Sequence, residues 1–514
     1  MKKQEFKIHS IQYNFIMNII LKMSTFIFPL ISFPYVSRVL GASGNGKIAF
    51  AASVVNYFSL FASLGIPSYG VKACAQVRDN KEKLSTVVQE LLIINFCSMT
   101  VSYIVFISML FLVPELRNQQ VLLWINSISI LLSSIGVEWF YQAIEQYDYI
   151  TFRNIAFKFI SIILMFVFVK KPTDYIIYAG ITIVGTYGSN ILNVLRLPRY
   201  ISLKKNMKYS LVRHLAPIFA LFLYNAATMI YTNLDTVMLG MMTNDNQVGY
   251  YNAAVKIKGI LASVVTAMSA VLLPRVSYYL SNDNREDFFR VIKKTFHFVL
   301  LVSIPLAVFF VLAAKPTITI LAGEEYLSSV VPMQIITPAI IFIGIGSITA
   351  WQMLIPLCME NVSVVGAVVG ALIDLILNFL LIPKFGASGA AIATLIAEMA
   401  VVSVHFFALR NELKHITFSK ELVKIIISAV ISILVFILLD KFLFEGYILI
   451  RLSILAVSYF ISYYLFLLVV KEEIIIEYTK KYLHVFRTFN FLRGVNRKLA
   501  LNYWGFPLVK GSQK

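Results

Sequence analysis

The sequence has few charged residues, and this shortage excludes an ordinary soluble domain. Asp, Glu, Lys and Arg together make up 14% of the 514 residues, whereas hydrophobic residues make up 59% and the mean hydropathy is +0.79. Soluble domains carry roughly a quarter of charged residues, so the composition indicates a membrane protein. Alternation of apolar and polar residues at period two is also missing, which argues against an outer-membrane barrel.

Cysteine is scarce as well, and the residues that usually form metal or catalytic sites show no pattern. The three cysteines (Cys74, Cys97 and Cys358) lie in or beside apolar segments, where they are expected to act as small core residues. The six histidines show no zinc-ligand spacing, and no serine lies in a nucleophile elbow. The sequence therefore predicts no metal site, no cofactor and no catalytic residue.

Apolar runs of about 20 residues recur along the whole chain, and each is long enough to cross about 30 Å of hydrocarbon. They predict an all-α, polytopic membrane protein with about fourteen transmembrane helices. The first six predicted spans lie near 14–37, 46–66, 88–113, 120–140, 150–169 and 175–195. The next eight lie near 215–241, 249–273, 293–314, 331–357, 361–382, 387–409, 423–440 and 448–470.

The net charge of +19 is distributed as the positive-inside rule requires. With both termini in the cytoplasm, 32 of the 45 Lys and Arg residues fall on the inner side, 9 on the outer side and 4 within the spans. This bias predicts a multi-pass protein of the cytoplasmic membrane. Since the basic excess is explained by topology and by attraction to anionic lipid headgroups, no nucleic-acid partner is expected.

An internal repeat divides the predicted spans into two lobes. A Leu-Gly pair ends an apolar run at Gly41 and again about 200 residues later at Gly240. Each pair is followed by a turn, after which the chain restarts with a Gly and a helix with small residues on one face. Six spans separate the copies, so the two lobes are expected to be parallel and pseudo-symmetric. The predicted units are an N-terminal lobe at 1–200, a C-terminal lobe at 201–415, two extra helices at 416–470 and a basic amphipathic cytoplasmic tail at 471–514.

Polar residues recur at helical spacing inside several spans. Lys22, Lys158 and Lys256 each continue such a stripe, and a charge at this depth is costly enough to suggest a function. One interpretation is that these lysines line an aqueous cavity and bind an anionic headgroup such as a diphosphate. The other is that the stripes form interhelical hydrogen bonds while the lysines extend to the lipid headgroups. Amides predicted to line the same cavity are Asn18, Asn225 and Asn252.

Three acidic residues also lie inside predicted spans of the C-terminal lobe, namely Asp235, Asp374 and Glu398. They could pair with the lysines and serve only as internal ion pairs. They could instead bind H⁺ or Na⁺ and couple transport to an ion gradient.

Four short segments in this order resemble one transporter family. They are the turn Leu40-Gly-Ala-Ser-Gly-Asn-Gly46, the end of the second span at Ser63-Leu-Gly-Ile-Pro67, the segment Leu234-Asp-Thr-Val-Met-Leu-Gly240 and the turn Phe385-Gly-Ala-Ser-Gly-Ala-Ala391. With fourteen spans in two lobes, they resemble the polysaccharide flippase branch of the multidrug/oligosaccharidyl-lipid/polysaccharide exporter superfamily.

The resemblance implies a flippase, not an enzyme, that moves undecaprenyl-diphosphate-linked oligosaccharide repeat units across the membrane for O-antigen or capsule synthesis. It implies alternation between inward-open and outward-open states and a basic cavity, for which the corresponding regions offer Lys22, Arg38, Lys256 and Arg275. A polysaccharide polymerase and a chain-length regulator are candidate partners. The alternatives are a multidrug exporter of the same superfamily, which predicts an acidic, aromatic cavity, and a membrane-embedded polysaccharide polymerase.

Overall fold

A computed structural model describes residues 10–202, 209–281, 284–414, 419–443, 446–477 and 479 of the chain. This part consists of α-helices with short π-helical and 3-10 segments, and it contains no β-strand. The structure thus confirms the predicted all-α class. Most of the basic tail predicted at 471–514 lies outside the described residues.

We refer to residues 1–200 as the first half of the chain. Its longest helix is α1 (Ile11–Ser63), which covers the first two predicted spans. The remaining helices of this half are α2 (Ile66–Ala75), α3 (Lys81–Leu112), α4 (Pro114–Arg117), α5 (Gln120–Ile135), α6 (Glu138–Ala143), α7 (Tyr147–Phe168), α8 (Tyr175–Ile183) and α9 (Asn190–Arg196). A π-helical segment, Val184–Gly188, joins α8 to α9.

We refer to residues 201–415 as the second half, and two further helices follow it. The helices of the second half are α10 (Val212–Met242), α11 (Asp245–Ser281), α12 (Arg285–Leu312), α13 (Ala314–Leu321), α14 (Val330–Ile336), α15 (Ala339–Ser347), α16 (Glu360–Phe385), α17 (Ala387–Ala408) and α18 (Arg410–Leu413). The two C-terminal helices are α19 (Ser419–Phe442) and α20 (Ile448–Val469).

Glycine in a left-handed conformation separates consecutive helical segments at two places. Gly41, with φ 68° and ψ −177°, interrupts α1, whereas Pro29 and Pro34 lie inside the helix without ending it. Gly386, with φ 52° and ψ −129°, separates α16 from α17. A positive φ favours glycine, which explains why glycine stands at both breaks. The helix resumes directly after each of them, within the Gly-Ala-Ser-Gly segments at 41–44 and 386–389.

The helices have the length and composition of membrane spans. In the described residues, nine helices are long and apolar enough to cross a membrane, or ten if the pair Glu324–Ile336 and Ala339–Leu354, bent by 46°, counts as one. Each predicted span falls on a helix or on consecutive helical segments. The chain is therefore a multi-pass membrane protein, while the exact number of fourteen spans and the division into lobes stay predictions.

Helix α1 occupies the centre of the packing. It contacts α3, α5 and α7 of the first half and also α10 and α11 of the second half. Helix α16 packs along α17 and against α10, while α19 pairs with α20 and rests on α12. The contact of α1 with α11 is the largest one between the two halves, so a site formed there takes side chains from both.

Helix α10 is attached to the first half at its start. The buried carboxylate of Glu90 accepts hydrogen bonds from Arg213 Nη2 at 2.5 Å, from the backbone N–H of Ser210 at 2.5 Å and from His214 Nε2 at 2.9 Å. Further along, α10 packs on α16 of the second half. One helix thus links the two halves and can transmit movement between them.

Candidate functional site

Three neighbouring cavities open where α1 meets α7, α8 and α11. The amide cavity, of about 300 Å³, is lined by Asn45, Asn56, Asn126, Ser129, Tyr178, Thr182, Thr186, Tyr187, Asn252, Lys256 and four apolar residues. The lysine cavity, of about 330 Å³, includes Thr25, Ser32, Phe33, Lys158, Ser161, Tyr178 and Lys256. The apolar slot, of about 190 Å³, includes Thr25, Pro29, Leu30, Phe33, Ile257, Ile260 and Lys256.

Lys256 of α11 lines all three cavities. Its ammonium lies 4.2 Å from the centre of the Phe33 ring on α1. A ring face at this distance attracts a cation through its quadrupole without neutralising the charge. Lys256 is therefore held at the junction of the cavities, where its charge remains available to an anion.

Lys158 of α7 reaches the lysine cavity from the other side. Its Nζ donates a hydrogen bond to Ser24 Oγ of α1 at 2.9 Å and lies 5.7 Å from the centre of the Phe28 ring. Lys158 and Lys256 thus line one cavity although 98 residues separate them. Among the described residues, no acidic side chain lines this cavity or the other two, so the electrostatic preference of the site is for anions.

The amide cavity has the chemistry of a sugar-binding surface. Four asparagines line it, of which Asn252 comes from α11 and the others from α1 and α5. An amide can donate and accept hydrogen bonds at once, which suits the hydroxyl groups of a sugar. Tyr178 and Tyr187 add aromatic surface. This combination can bind a neutral or anionic polyol beside the ammonium of Lys256.

Four of the other predicted basic and amide residues are described, and they lie outside these cavity walls. Lys22 is exposed and Asn18 half-buried on α1, one and two turns before Thr25 on the same helix face. Arg38 donates hydrogen bonds to the carbonyl oxygens of Pro34 and Ile320, at 2.6 and 2.5 Å. Asn225 is half-buried on α10. The side chain of Arg275 lies outside the described residues.

Two of the predicted acidic residues meet in the interior of the second half. Asn378 Nδ2 on α16 donates to Asp235 Oδ1 at 2.5 Å and to Asp374 Oδ2 at 3.1 Å, so one amide bridges both carboxylates. Asp235 Oδ2 accepts further hydrogen bonds from the hydroxyl groups of Tyr251 and Thr394, the latter at 2.8 Å. All five side chains are buried. We call them the acid cluster.

The acid cluster has oxygen atoms left over. Asp374 Oδ1 and Asn378 Oδ1 are buried without a hydrogen-bond partner, although buried polar atoms usually have one. The charges that act most strongly on Asp374 are those of Asp235, Lys258 and Glu398. Glu398 is half-buried one turn after Thr394 on α17. An unpartnered carboxylate oxygen and an unpartnered amide oxygen, next to a second buried carboxylate, can hold a proton or a hard cation such as Na⁺.

The two halves are joined at the end of the bundle that the charge bias predicts to face outward, called here the outer end. Asn45 Nδ2 donates to the Tyr326 hydroxyl at 2.8 Å, and that hydroxyl donates to the carbonyl oxygen of Gly41 at 2.8 Å. Gln119 Nε2 donates to Asp245 Oδ1 at 2.7 Å. These contacts hold the two halves together, and we call the outer end closed in this arrangement.

Glycines allow the close approach of α1 and α11 at this outer end. A Cβ atom on Gly249 would lie 2.1 Å from the carbonyl oxygen of Ala42, and one on Gly46 would lie 1.8 Å from that of Asp245. Neither distance is possible for real atoms. The two helices can therefore cross at this separation only with glycine at both positions.

Sequence reasoning did not identify several residues of this site. Asn45, Asn126, Tyr178 and Tyr187 line the amide cavity but lie singly among apolar or small residues. Tyr251 directly precedes the predicted Asn252, and its hydroxyl group belongs to the acid cluster. A one-residue step turns a side chain by about 100° on a helix, so neighbours in sequence serve two different sites.

Comparison with protein families gives two matches that together span both halves. The model for polysaccharide biosynthesis proteins matches residues 11–280, which is more than half of the chain. The MatE model matches residues 220–380.

Two curated relatives illustrate the similarity. The chain is 25% identical over 404 residues, 78% of this chain and 97% of the relative, to the "Putative O-antigen transporter" of Escherichia coli (strain K12). It is 26% identical over 186 residues, 35% of this chain and 34% of the relative, to the "Lipid II flippase MurJ" of Bacillus subtilis (strain 168). Both names denote transport, in agreement with the predicted transporter and against an enzyme.

Solved structures with the same fold are transporters too. The lipid II flippase MurJ in an inward closed conformation aligns with a TM-score of 0.67 at 19% identity, over 88% of this chain and 99% of that one. An inward-facing MATE multidrug resistance transporter aligns with a TM-score of 0.54 at 13% identity, over 76% and 98%. At these identities the likeness shows the fold alone, and it confirms the predicted transporter fold.

Proposed function

Because the chain belongs to the polysaccharide biosynthesis protein family, we propose that it is a flippase for lipid-linked oligosaccharides. Its substrate would be an undecaprenyl-diphosphate-linked repeat unit, moved across the cytoplasmic membrane for O-antigen or capsular polysaccharide. The observation that carries the proposal is the pair Lys158 and Lys256 in one cavity, none of whose described lining residues is acidic. A polysaccharide polymerase and a chain-length regulator would act on the exported unit.

Each part of such a substrate has a matching cavity. The diphosphate would bind between Lys158 and Lys256, because ammonium groups are suited to phosphate as point charges. The sugars would extend into the amide cavity, where Asn56, Asn126 and Asn252 offer donors and acceptors. The first isoprene units would enter the apolar slot beside Phe33. Lys256 lies where the three parts of the substrate meet.

Translocation would proceed by alternating access. With the outer end closed by Ala42, Asn45 and their partners, the substrate would load from the cytoplasmic side, passing the exposed Lys22. Rocking of the two halves would then break the outer contacts and release the headgroup outside. The lipid tail would remain in the bilayer throughout, so only the polar headgroup needs a wet passage.

A multidrug exporter is supported less well by the same cavities. Cationic drugs bind best to acidic and aromatic surfaces, and the described cavity walls carry lysines and amides instead. The acid cluster is separated from these walls, since none of its five residues lines them. It suits an ion-coupling role in either kind of transporter.

We propose that the acid cluster binds the coupling ion, H⁺ or Na⁺. Asp235, Asp374 and Asn378 supply oxygen ligands, and Thr394 supplies a hydroxyl group. The fit is supported by the unpartnered oxygens Asp374 Oδ1 and Asn378 Oδ1. Glu398, one turn from Thr394, would add charge nearby. The cluster includes Tyr251, which is adjacent to Asn252 of the amide cavity, so ion binding could alter the cavity through α11.

The flippase proposal is tested by complementation of bacterial strains that each lack a defined repeat-unit flippase. The wild-type chain should restore surface polysaccharide in at least one of them. The triple variant Lys22→Gln, Lys158→Gln, Lys256→Gln should insert normally and fail to restore it. A matched triple variant of exposed lysines that line none of the three cavities, Lys170→Gln, Lys171→Gln, Lys315→Gln, should complement like wild type. Export by the first triple variant at the wild-type level would remove the proposed roles of its lysines.

The coupling proposal is tested with purified protein in liposomes that contain a lipid-linked oligosaccharide. Flipping should rise with an imposed Na⁺ or proton gradient, and the ion responsible is the one whose removal abolishes the rise. Asp374→Asn should remove this dependence, whereas the exposed control Asp79→Asn should keep it. If flipping by Asp374→Asn follows the gradient as wild type does, the acid cluster is not the coupling site.

A further inference from the structure

One histidine and two glutamates meet where the C-terminal helices join the rest of the bundle. His297 lies on α12, Glu421 in the first turn of α19, and Glu472 just after α20. One ligand atom from each side chain lies within 4.8 Å of the corresponding atoms of the other two. We propose that these three side chains bind a divalent transition-metal ion, with Zn²⁺ preferred, and that the ion fastens α19 and α20 to α12.

The donor set fits the chemistry of zinc. One imidazole nitrogen and two carboxylate oxygens are ordinary Zn²⁺ ligands at about 2.0 to 2.2 Å, and a water molecule can fill the fourth position. Two such ligand atoms on one ion are at most about 4.4 Å apart. The ligand atoms of the cluster lie within 4.8 Å of one another, so only a small side-chain adjustment is required. Mg²⁺ and Ca²⁺ prefer sites made of oxygen alone, and the imidazole disfavours them.

Two atoms of the cluster are buried without a hydrogen-bond partner. Nε2 of His297 lies 2.8 Å from Oε1 of Glu472, but the groups are not aligned for a hydrogen bond. His297 is 7% exposed and Glu472 is fully buried. Oε2 of Glu421 is likewise buried and unpartnered. Because buried polar atoms normally have partners, a shared ligand between the three side chains would satisfy both.

Neighbouring groups orient the carboxylates and leave negative charge in the cluster. Glu472 accepts hydrogen bonds from the backbone N–H groups of Ile474 at 3.0 Å and Ile475 at 2.7 Å, which fix its carboxylate as supporting hydrogen bonds do in metal sites. Lys424 donates to Oε1 of Glu421 at 2.8 Å. Lys424 pairs with one of the two carboxylates, so a divalent cation would offset the charge of the other.

An apolar shell surrounds the cluster. Leu301 of α12, Ile425 of α19, Leu467 of α20 and Ile474 after it are packed together and buried. Such a shell excludes water and strengthens a charge interaction inside it. Since the ligands come from three elements that the same shell joins, the ion is expected to stabilise helix docking. This role is independent of the substrate carried by the cavities.

The test uses the full chain, purified in detergent, freed of any affinity tag and treated with a chelator. Zn²⁺ is then added, and bound metal and the thermal unfolding midpoint are measured. The wild-type chain should bind Zn²⁺ with a raised midpoint, and Mg²⁺ should give no such rise. Glu421→Gln, at a partly exposed position that should tolerate it, and His297→Gln should lose the rise and about tenfold or more of the Zn²⁺ affinity.

The matched control is Glu477→Gln. Glu477 is an exposed glutamate five residues after Glu472, and it pairs with Lys294 of α12 at 3.1 Å. It should respond to Zn²⁺ as wild type does. The proposal is overturned if wild type gains neither bound zinc nor a higher midpoint. Equal zinc binding by Glu421→Gln and Glu477→Gln would also overturn it, because the metal would then be held elsewhere. An equal rise of the midpoint with Mg²⁺ would overturn it too.

Discussion

Ala42 and Glu325 are 283 residues apart in the sequence, yet the backbone N–H of Ala42 donates a hydrogen bond to Oε1 of Glu325 at 2.8 Å. Ala42 is the first residue after the break at Gly41, where a helix start leaves backbone donors without partners. A negative charge at this position also interacts favourably with the helix dipole. Gly41 allows the approach, since a Cβ atom there would lie 2.5 Å from the carboxylate. The contact holds the outer end closed.

Replacement of Glu325 should loosen the outer end. Glu325→Ala removes a charged helix cap, which is worth about 1 to 2 kcal/mol, so the open fraction should rise about fivefold to thirtyfold. Pulsed EPR distances between labels at the exposed Asn118 and Asn246, in a chain without native cysteines, report the opening. The neighbouring exposed Glu324→Ala is the control. Equal distance distributions in the two variants would contradict a capping role for Glu325.

The crossing of α1 and α11 gives a second, purely steric prediction. Gly249→Ala places a methyl group against the backbone of Ala42 and should lower stability by about 1 to 3 kcal/mol, as overpacking does. Gly259→Ala, on the same helix, meets nothing within 4 Å and should be neutral or stabilising by up to about 1 kcal/mol. Thermal unfolding in detergent compares them. Similar unfolding midpoints for the two variants would mean that α1 and α11 can move apart around the methyl group without loss of stability.

The positions of the helices, and the residues that share one face of a helix, could be predicted from the sequence because both follow from local periodicity. The stripe that contains Lys158 and Ser161 on α7 lines a cavity as one face. Asn252 and Lys256 on α11 do the same. A spacing of four residues brings side chains together on any helix, whatever the rest of the chain does.

Partners from distant segments could not be predicted in this way. The two Gly-Ala-Ser-Gly segments are visible in the sequence, but their caps are not: Glu325 caps Ala42, and Gln247 Oε1 caps the N–H of Ala387 at 2.8 Å. The His297 cluster likewise takes its ligands from three elements over 175 residues. Such contacts depend on how helices are arranged, and no spacing within one helix records this.

Closure of the outer end should depend on pH through Asp245. Burial in the closed state raises the pKa of Asp245, and Lys47 and Gln119 offset this only in part. A raised pKa means that the closed state binds the proton more tightly than an open, solvated one, so closure is favoured at low pH and weakens as pH rises through the raised pKa. Label distances between Asn118 and Asn246 should lengthen accordingly.

Asp245→Asn is the matching variant for this pH effect. Asparagine is uncharged and can still accept the hydrogen bond from Gln119, so it imitates the protonated aspartate. The closed fraction should be high at every pH and its dependence on pH reduced. Glu325 also carries a charge at this end, and Glu325→Gln should leave the Asp245 contribution in place. A full pH response in Asp245→Asn would assign the titration to another group.

Phe33 should affect substrate binding because its ring face holds the ammonium of Lys256, not because of the bulk of the Phe33 side chain. Phe33→Leu keeps a buried apolar side chain but removes the ring face that lies 4.2 Å from the ammonium of Lys256. A cation–π contact is worth about 0.5 to 2 kcal/mol, so the KM for a lipid-linked diphosphate should rise about twofold to thirtyfold in liposome assays. Phe33→Tyr retains a ring face and should stay near wild type. If Phe33→Leu and Phe33→Tyr bind substrate equally well, the ring does not position Lys256, and its remaining role is to pack α1 against Tyr326 of the closed outer end.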